Sequence, residues 1–221
     1  GRLQGGDNDE FFPVASNLFL LERDGKTEVF KENLRLYLDF TGTDRYSTEK
    51  EMYEAISHDD VIKYLGAATI EGIEFLRFEY FEGKPLSSFT SIESLLPVGE
   101  TVGIVSRLAE LLDYLHGRGI AYMDTKGKNV LYNGKDIKEL DFGMARFCNG
   151  SVRSLLSTPE YVAPEMGTSF TGYKETDIFQ IGILFYEMLC GKHPFARREL
   201  YDFIEGDMHR ESAIVKYALA N

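Results

Sequence analysis

The stretch AYMDTKGKNVLYNGKDIKELDFGMAR, residues 121–146, constrains this chain more than any other. Asp124 follows Ala-Tyr-Met, Asn129 comes five residues later, and Asp141 ends the run Ile-Lys-Glu-Leu just before Phe-Gly. Val130-Leu131-Tyr132 and Ile137 to Leu140 read as a short hairpin closed by Asn133-Gly134. Asp124, Lys126, Asn129 and Asp141 thus sit on a loop and a turn flanked by strands that would hold them rigidly. That set is the inventory of a phosphate site. Phosphoryl transfer needs a carboxylate for a metal ion, an acceptor for the attacking hydroxyl's proton, and cations against the phosphates.

The rest of the chain supplies two bodies for such a site to lie between. Residues up to about 80 read mostly as strands, and the remainder mostly as helices. ASNLFLLERDGKTEVFKENLRLYLDF (15–40) holds two apolar runs with a hairpin signal at Asp24-Gly25. STEKEMYEAISH (47–58) predicts a helix with Ser or Thr at its N-cap. VIKYLGAATI and IEFLRFEYF are two further strands joined at Glu71-Gly72. EGKPLSSFTS (82–91) is small and polar and reads as the linker. Beyond it, Ile104, Leu108, Leu111 and Leu115 mark one helical stripe. ETDIFQIGILFYEMLCG (175–191) reads as a helix apolar around most of its circumference, hence buried, and stopped by Gly191.

Composition narrows the function. With 43% hydrophobic and 13% aromatic residues, 221 residues can form a sizeable core. A net charge of −12 argues against nucleic acid or an anionic membrane as the main partner. Any polyphosphate must therefore be held by a few placed cations, backbone N–H groups and metal ions. Cys148 and Cys190 have no metal or redox spacing, and no signal-peptide pattern opens the chain, so the expectation is a reduced, cytoplasmic protein without a membrane span. The four histidines have no metal-ligand spacing among them.

These motifs resemble the eukaryotic-type protein kinase family. Its catalytic loop is similar to Tyr122-Met123-Asp124-Thr125-Lys126-Gly127-Lys128-Asn129, its Asp-Phe-Gly to 141–143, and its Ala-Pro-Glu to 163–165 within TPEYVAPE. The resemblance implies an α+β, bilobal fold, with a small antiparallel β-sheet N-lobe carrying one helix and a mainly helical C-lobe. It divides the chain into an N-lobe (1–81), a hinge (82–91) and a minimal or truncated C-lobe (92–221). It also implies ATP and Mg²⁺ as cofactors.

Roles follow by the same resemblance. Lys31, in EVFKEN, would hold the α and β phosphates and pair with Glu49, with Glu51 and Glu54 as the other registers. Asp141 and Asn129 would ligate Mg²⁺. Asp124 would orient and deprotonate the acceptor hydroxyl, and Lys126 would neutralise the γ-phosphate. Leu18, Val29, Phe78, Glu79, Phe81 and Leu131 would surround the nucleotide. Lys126 together with Thr158 matches the serine/threonine subgroup, and Thr158 would touch a protein substrate carrying Ser or Thr. Asp177 would brace the catalytic loop or cap its helix.

Three departures from the family pattern stand in the sequence. With Lys31 in register, the phosphate-covering glycine window falls on Phe11-Phe12-Pro13-Val14-Ala15-Ser16, which contains no Gly. Tyr122-Met123 stands where the family has His-Arg. The residues after Pro194 are too few to reach the later helix that carries the usual Arg partner of Glu165. Two alternatives to a serine/threonine kinase thus stay open: a pseudokinase acting as a binding module, and a small-molecule kinase of the aminoglycoside or lipid-sugar type.

Overall fold

The computed structural model describes residues 10–15, 17–23, 25–33, 45–148, 150, 152–153, 159–169 and 171–195. Strands β1 (Glu10–Ala15), β2 (Leu18–Arg23) and β3 (Lys26–Glu32) come first. Helix α1 (Arg45–Ala55), β4 (Tyr64–Ile70) and β5 (Ile73–Glu79) complete the N-terminal body. The strands form one antiparallel sheet in the order β1-β2-β3-β5-β4. Glu71 and Gly72, at φ +52° and +79°, make the tight connection between β4 and β5. Two left-handed residues in sequence match the twist of a two-residue hairpin, which is why this dipeptide joins the strands.

Strand alternation gives the sheet two apolar faces. Leu21, Phe30 and Phe75 pack together on one. Leu76 and Phe78 turn to the other and join Met52 and Tyr53 of α1 in the main core. The helix starts at Arg45, so Ser47 and Thr48 lie within its first turns rather than at its cap. The predicted boundary was late by two residues.

The C-terminal body opens with β6 (Lys84–Pro85), two short 3₁₀ turns at Leu86–Phe89 and Ile92–Ser94, and helix α2 (Val98–Gly117). Then come β7 (Ile120–Ala121), β8 (Val130–Tyr132), β9 (Ile137–Glu139), β10 (Arg146–Phe147) and β11 (Val152–Arg153). Helix α3 (Pro164–Ser169), β12 (Thr171–Gly172) and helix α4 (Lys174–Cys190) follow. The segment 82–91 is ordered by packing, since β6 pairs with β8 and Leu86 is wholly buried.

Ile104, Leu108, Leu111 and Leu115 of α2 are the buried face that their spacing predicts. Helix α4 differs from expectation. It buries Ile181, Leu184 and Met188 along one face, yet leaves Ile178 at 55% and Tyr186 at 39% exposed. Its buried face also carries Asp177 and Gln180, both at 0% exposure. Gly191 ends it in the left-handed conformation, with its N–H on the Glu187 carbonyl. Among the described residues, no helix is long and apolar enough to cross a membrane, and both cysteines are free thiols.

Candidate active site

The loop between β7 and β8 has no regular secondary structure, so its backbone groups need partners from elsewhere. Helix α4 supplies them. One oxygen of Asp177 accepts the Tyr122 N–H at 3.0 Å and the other the Met123 N–H at 2.5 Å. Gln180, one turn further on, accepts the Thr125 N–H at 3.0 Å and donates to the carbonyls of Met123 (3.2 Å) and Tyr161 (3.3 Å). His116 of α2 meets Asp177 Oδ2 at 2.7 Å. Asp177 therefore braces the loop. The start of α4 is served instead by Thr176, whose hydroxyl oxygen accepts the Tyr173 N–H.

This bracing holds an unfavourable backbone. Met123 has φ +62°, a left-handed value that a residue with a long side chain adopts only where its surroundings over-determine it. Its N–H and C=O are both bonded to α4 side chains, and the side chain is wholly buried with Ala121 and Cys148. Gly127 shows a second constraint. A Cβ there would lie 2.7 Å from the Ser87 nitrogen, so only glycine lets this loop pack against the turn at Leu86–Phe89.

On this frame the predicted residues converge. Asp124 is 7% exposed, and Lys126 Nζ reaches both of its carboxylate oxygens at 2.8 Å. Asn129 Nδ2 donates to the Asp124 carbonyl and to Asp124 Oδ2, each at 2.9 Å. Burial raises the Asp124 carboxyl above the usual range, against the opposing pull of Lys126 and Asn129. Across the cleft, Lys31 Nζ lies 2.6 Å from Glu49 Oε1 and 3.1 Å from Asp141 Oδ1. Burial pulls this ammonium down, but Glu49 and Asp141 outweigh it, and Lys31 is held above its ordinary value. Asp141 Oδ1 also accepts the Gly143 N–H at 2.9 Å, which fixes the carboxylate relative to its own turn.

Of the three acidic registers open on α1, the structure selects Glu49. Its side chain is buried and faces Lys31, whereas Glu51 and Glu54 are exposed. An aromatic column joins the two bodies behind this cation. Tyr53, one helical turn after Glu49, stacks on Tyr64 with centroids 5.7 Å apart and meets Phe142 at 5.2 Å; Phe142 meets Tyr122 at 4.9 Å. The Tyr122 hydroxyl donates to Glu139 Oε1 at 2.6 Å. The Tyr64 hydroxyl is buried with no hydrogen-bond partner among the described residues.

The remaining predicted residues separate. Leu18 pairs with Lys31, Val29 with Phe78, and Leu131 with Pro85, and all three of Leu18, Val29 and Leu131 are half-buried. Phe78 is almost fully buried and packs on Tyr53 at 4.8 Å, so its ring belongs to the column. The Glu79 carboxylate is occupied by the Lys63 N–H (3.1 Å) and Lys138 Nζ (3.2 Å). Phe81 is half-buried against the main core. Thr158 lies outside the described residues. Glu165 accepts a hydrogen bond from the Thr176 hydroxyl at 2.6 Å.

Gln180, His116 and Glu139 are site residues that sequence reasoning missed. For Gln180 a signal existed, because it lies three residues from Asp177 and therefore on the same helix face. For Glu139 the signal was strand alternation, which puts it on the face of the wholly buried Ile137. His116 carried none.

The donor set fits a hard divalent cation that also binds phosphate. Asn129 makes its protein hydrogen bonds through Nδ2, leaving Oδ1 as a metal donor, and Asp141 adds a carboxylate. No cluster of three or more His, Cys, Asp or Glu suited to a metal occurs among the described residues. Mg²⁺ does not need one, because it is commonly held by one or two carboxylates together with substrate phosphates.

Comparison with known proteins agrees with this geometry. The family model for the protein kinase domain matches residues 23–219. The chain is 33% identical to cAMP-dependent protein kinase type 3 of Saccharomyces cerevisiae over 149 residues, which is 66% of this chain and 37% of that protein. It is 30% identical to serine/threonine-protein kinase ULK3 of Xenopus laevis, over 72% of this chain and 35% of the relative. It is 26% identical to serine/threonine-protein kinase Pkn1 of Myxococcus xanthus, over 76% and 25%. In each case the chain spans well under half of the relative's length. With the Lys31–Glu49–Asp141 contact, the braced Asp124 loop and a match over most of its length, the chain belongs to the protein kinase family, among relatives of the serine/threonine type.

Proposed function

We propose that this chain carries the phosphotransferase activity of a serine/threonine protein kinase, moving the γ-phosphate of ATP to a Ser or Thr hydroxyl of a protein. One observation carries the reading: Lys31 touches Glu49 and Asp141 at once, which brings the α1 carboxylate, a cation suited to phosphate and a carboxylate suited to a metal ion into one contact. That alignment is the arrangement phosphoryl transfer requires of a kinase.

The chemistry follows from the groups present. Asp124, held by Lys126 and Asn129, accepts the hydrogen bond of the attacking hydroxyl and takes its proton as the new O–P bond forms and the bond to the ADP oxygen breaks. Lys126 sits beside that carboxylate and neutralises charge on the transferred phosphoryl group. Lys31 steadies the α and β phosphates. Asp141 and Asn129 Oδ1 would hold Mg²⁺, which when bound would neutralise phosphate charge. Leu18, Val29 and Leu131 offer apolar surface to the base. Because the Glu79 carboxylate and the Phe78 ring are already engaged, the base would be read there by backbone groups.

A second reading, a kinase fold that binds nucleotide without turnover, is favoured by one feature. Strand β1 presents Phe12, Pro13, Val14 and Ala15 where glycine would let N–H groups approach phosphate. Incubation with labelled ATP, Mg²⁺ and a generic basic protein separates the two, with Asp124→Asn as the control. Label transfer lost in that variant supports the kinase. No transfer, with a rise in melting temperature on adding nucleotide, replaces it with the binding module.

A further inference from the structure

Glu139 has no part in the chemistry above, yet it is a carboxyl at 2% exposure in the centre of the molecule. A buried carboxyl left without a partner is strongly destabilising. Its side-chain oxygen Oε1 takes the Tyr122 hydroxyl at 2.6 Å. Its backbone is fixed from both sides. The N–H donates to the Asp60 carbonyl at 2.7 Å, and the carbonyl accepts the Ile62 N–H at 2.9 Å. Glu139 therefore cannot slide along β9 without detaching the chain that joins α1 to β4.

Tyr122 is placed to pass this rigidity on. It stands two residues before Asp124, and its ring meets Phe142, the residue after Asp141. Phe142 in turn meets Tyr53 on the helix of Glu49. Tilted and edge contacts between rings are weak and allow tilt and slip. A tethered hydroxyl removes that freedom at one end of the column. We infer that Glu139 is a positioning residue: by holding the Tyr122 hydroxyl it sets the Phe142 ring, and with it the direction in which Asp141 meets Lys31. The kinetic half of this inference rests on the kinase reading, while its structural half does not.

The test compares wild type with Glu139→Val, Glu139→Gln, Tyr122→Phe and the Val/Phe double variant. Two readouts are taken: kcat and KM for ATP, and hydrogen exchange of the Gly143 amide without nucleotide. Glu139→Val is expected to lower kcat about tenfold to a hundredfold, as sub-ångström misplacement of reacting groups does, with KM little changed. Gly143 exchange should quicken, because its N–H is bonded to Asp141 Oδ1. Glu139→Gln keeps the shape and an acceptor oxygen, and should restore most of both readouts. The double variant should lose much less than the product of the single losses.

Wild-type kcat and Gly143 protection in Glu139→Val would overturn the inference. So would independent single losses, or a Gln variant no better than Val. Should Glu139→Val fail to fold, Tyr122→Phe, which keeps the ring and removes only the hydroxyl, makes the same comparison against Glu139→Gln. If wild type transfers no phosphate the kinase reading falls, and Gly143 exchange still decides for or against the tether.

Discussion

The loop that carries Asp124 and the β1–β2 hairpin are built by opposite means. In the loop, irregular backbone is held by buried side chains: the N–H groups of Tyr122, Met123 and Thr125 all end on Asp177 or Gln180. In the hairpin the backbone holds itself through its ladder, while Phe12 and Val14 point outward at 44% and 55% exposure. A structure fixed by particular side chains specifies atoms closely and tolerates little change. One fixed by main-chain hydrogen bonds accepts almost any residue able to be a strand. The Asp124 loop keeps the family's acidic and amide residues, while the hairpin, held by its ladder, has none of its glycines.

The comparison breaks most easily at Asp124. Asp124→Asn removes the proton acceptor and is expected to lower kcat by about 10²–10⁴ while nucleotide still binds. A smaller loss in the transfer assay would mean that the loop does not place the chemistry. Run against pH, the same assay should show an acid limb above the ordinary aspartate value of about 3.9, because burial makes Asp124 hold its proton more tightly. Activity is lost as pH falls through that raised value.

Lys31→Met comes next. It takes the ammonium away from Glu49 and Asp141, and removing one member of a buried pair costs about 3–5 kcal/mol. Since the Asp141 side chain is 39% exposed and can be solvated, the lower end is expected, read as a fall in the urea midpoint without nucleotide. An unchanged midpoint would show that the contact between the two bodies is not held by charge.

On the hairpin side the effects shrink. Pro13→Gly restores a backbone N–H and removes bulk where the proposed site would hold phosphate, so KM for ATP should drop, by roughly threefold, with kcat nearly constant. A large change in kcat would make the hairpin part of the catalytic geometry and dissolve the contrast. The smallest effect is expected from replacing together by Ala the three serines between Asp141 and Glu165 that are candidate phosphorylation sites, Ser151, Ser154 and Ser157. Met123 is buried with Ala121 and Cys148 where a cation would be needed to read a phosphate, so turnover should stay within about twofold. A collapse in rate would show that phosphorylation reaches the loop by another route.

Much of this was legible in the chain. Asp124, Lys126, Asn129 and Asp141 were found by spacing, and α2 by its apolar stripe, because these depend on residues a few positions apart. The choice of Glu49 over Glu51 and Glu54 was not legible, since only the docked helix shows which face of α1 meets Lys31. The burial of α4 was overstated, because its apolar circumference counts residues without showing which neighbours cover them.

By itself the sequence determined the chemical inventory and the local elements, through backbone preference and periodicity acting over a few residues. Tertiary structure decided which groups became partners: Tyr122 with Glu139, His116 with Asp177, Thr125 with Gln180, at separations of 17, 61 and 55 positions. A hydrogen bond is satisfied within about 3 Å in space and is indifferent to distance along the chain. Only the packing of α2, α4 and the aromatic column brings those atoms within reach.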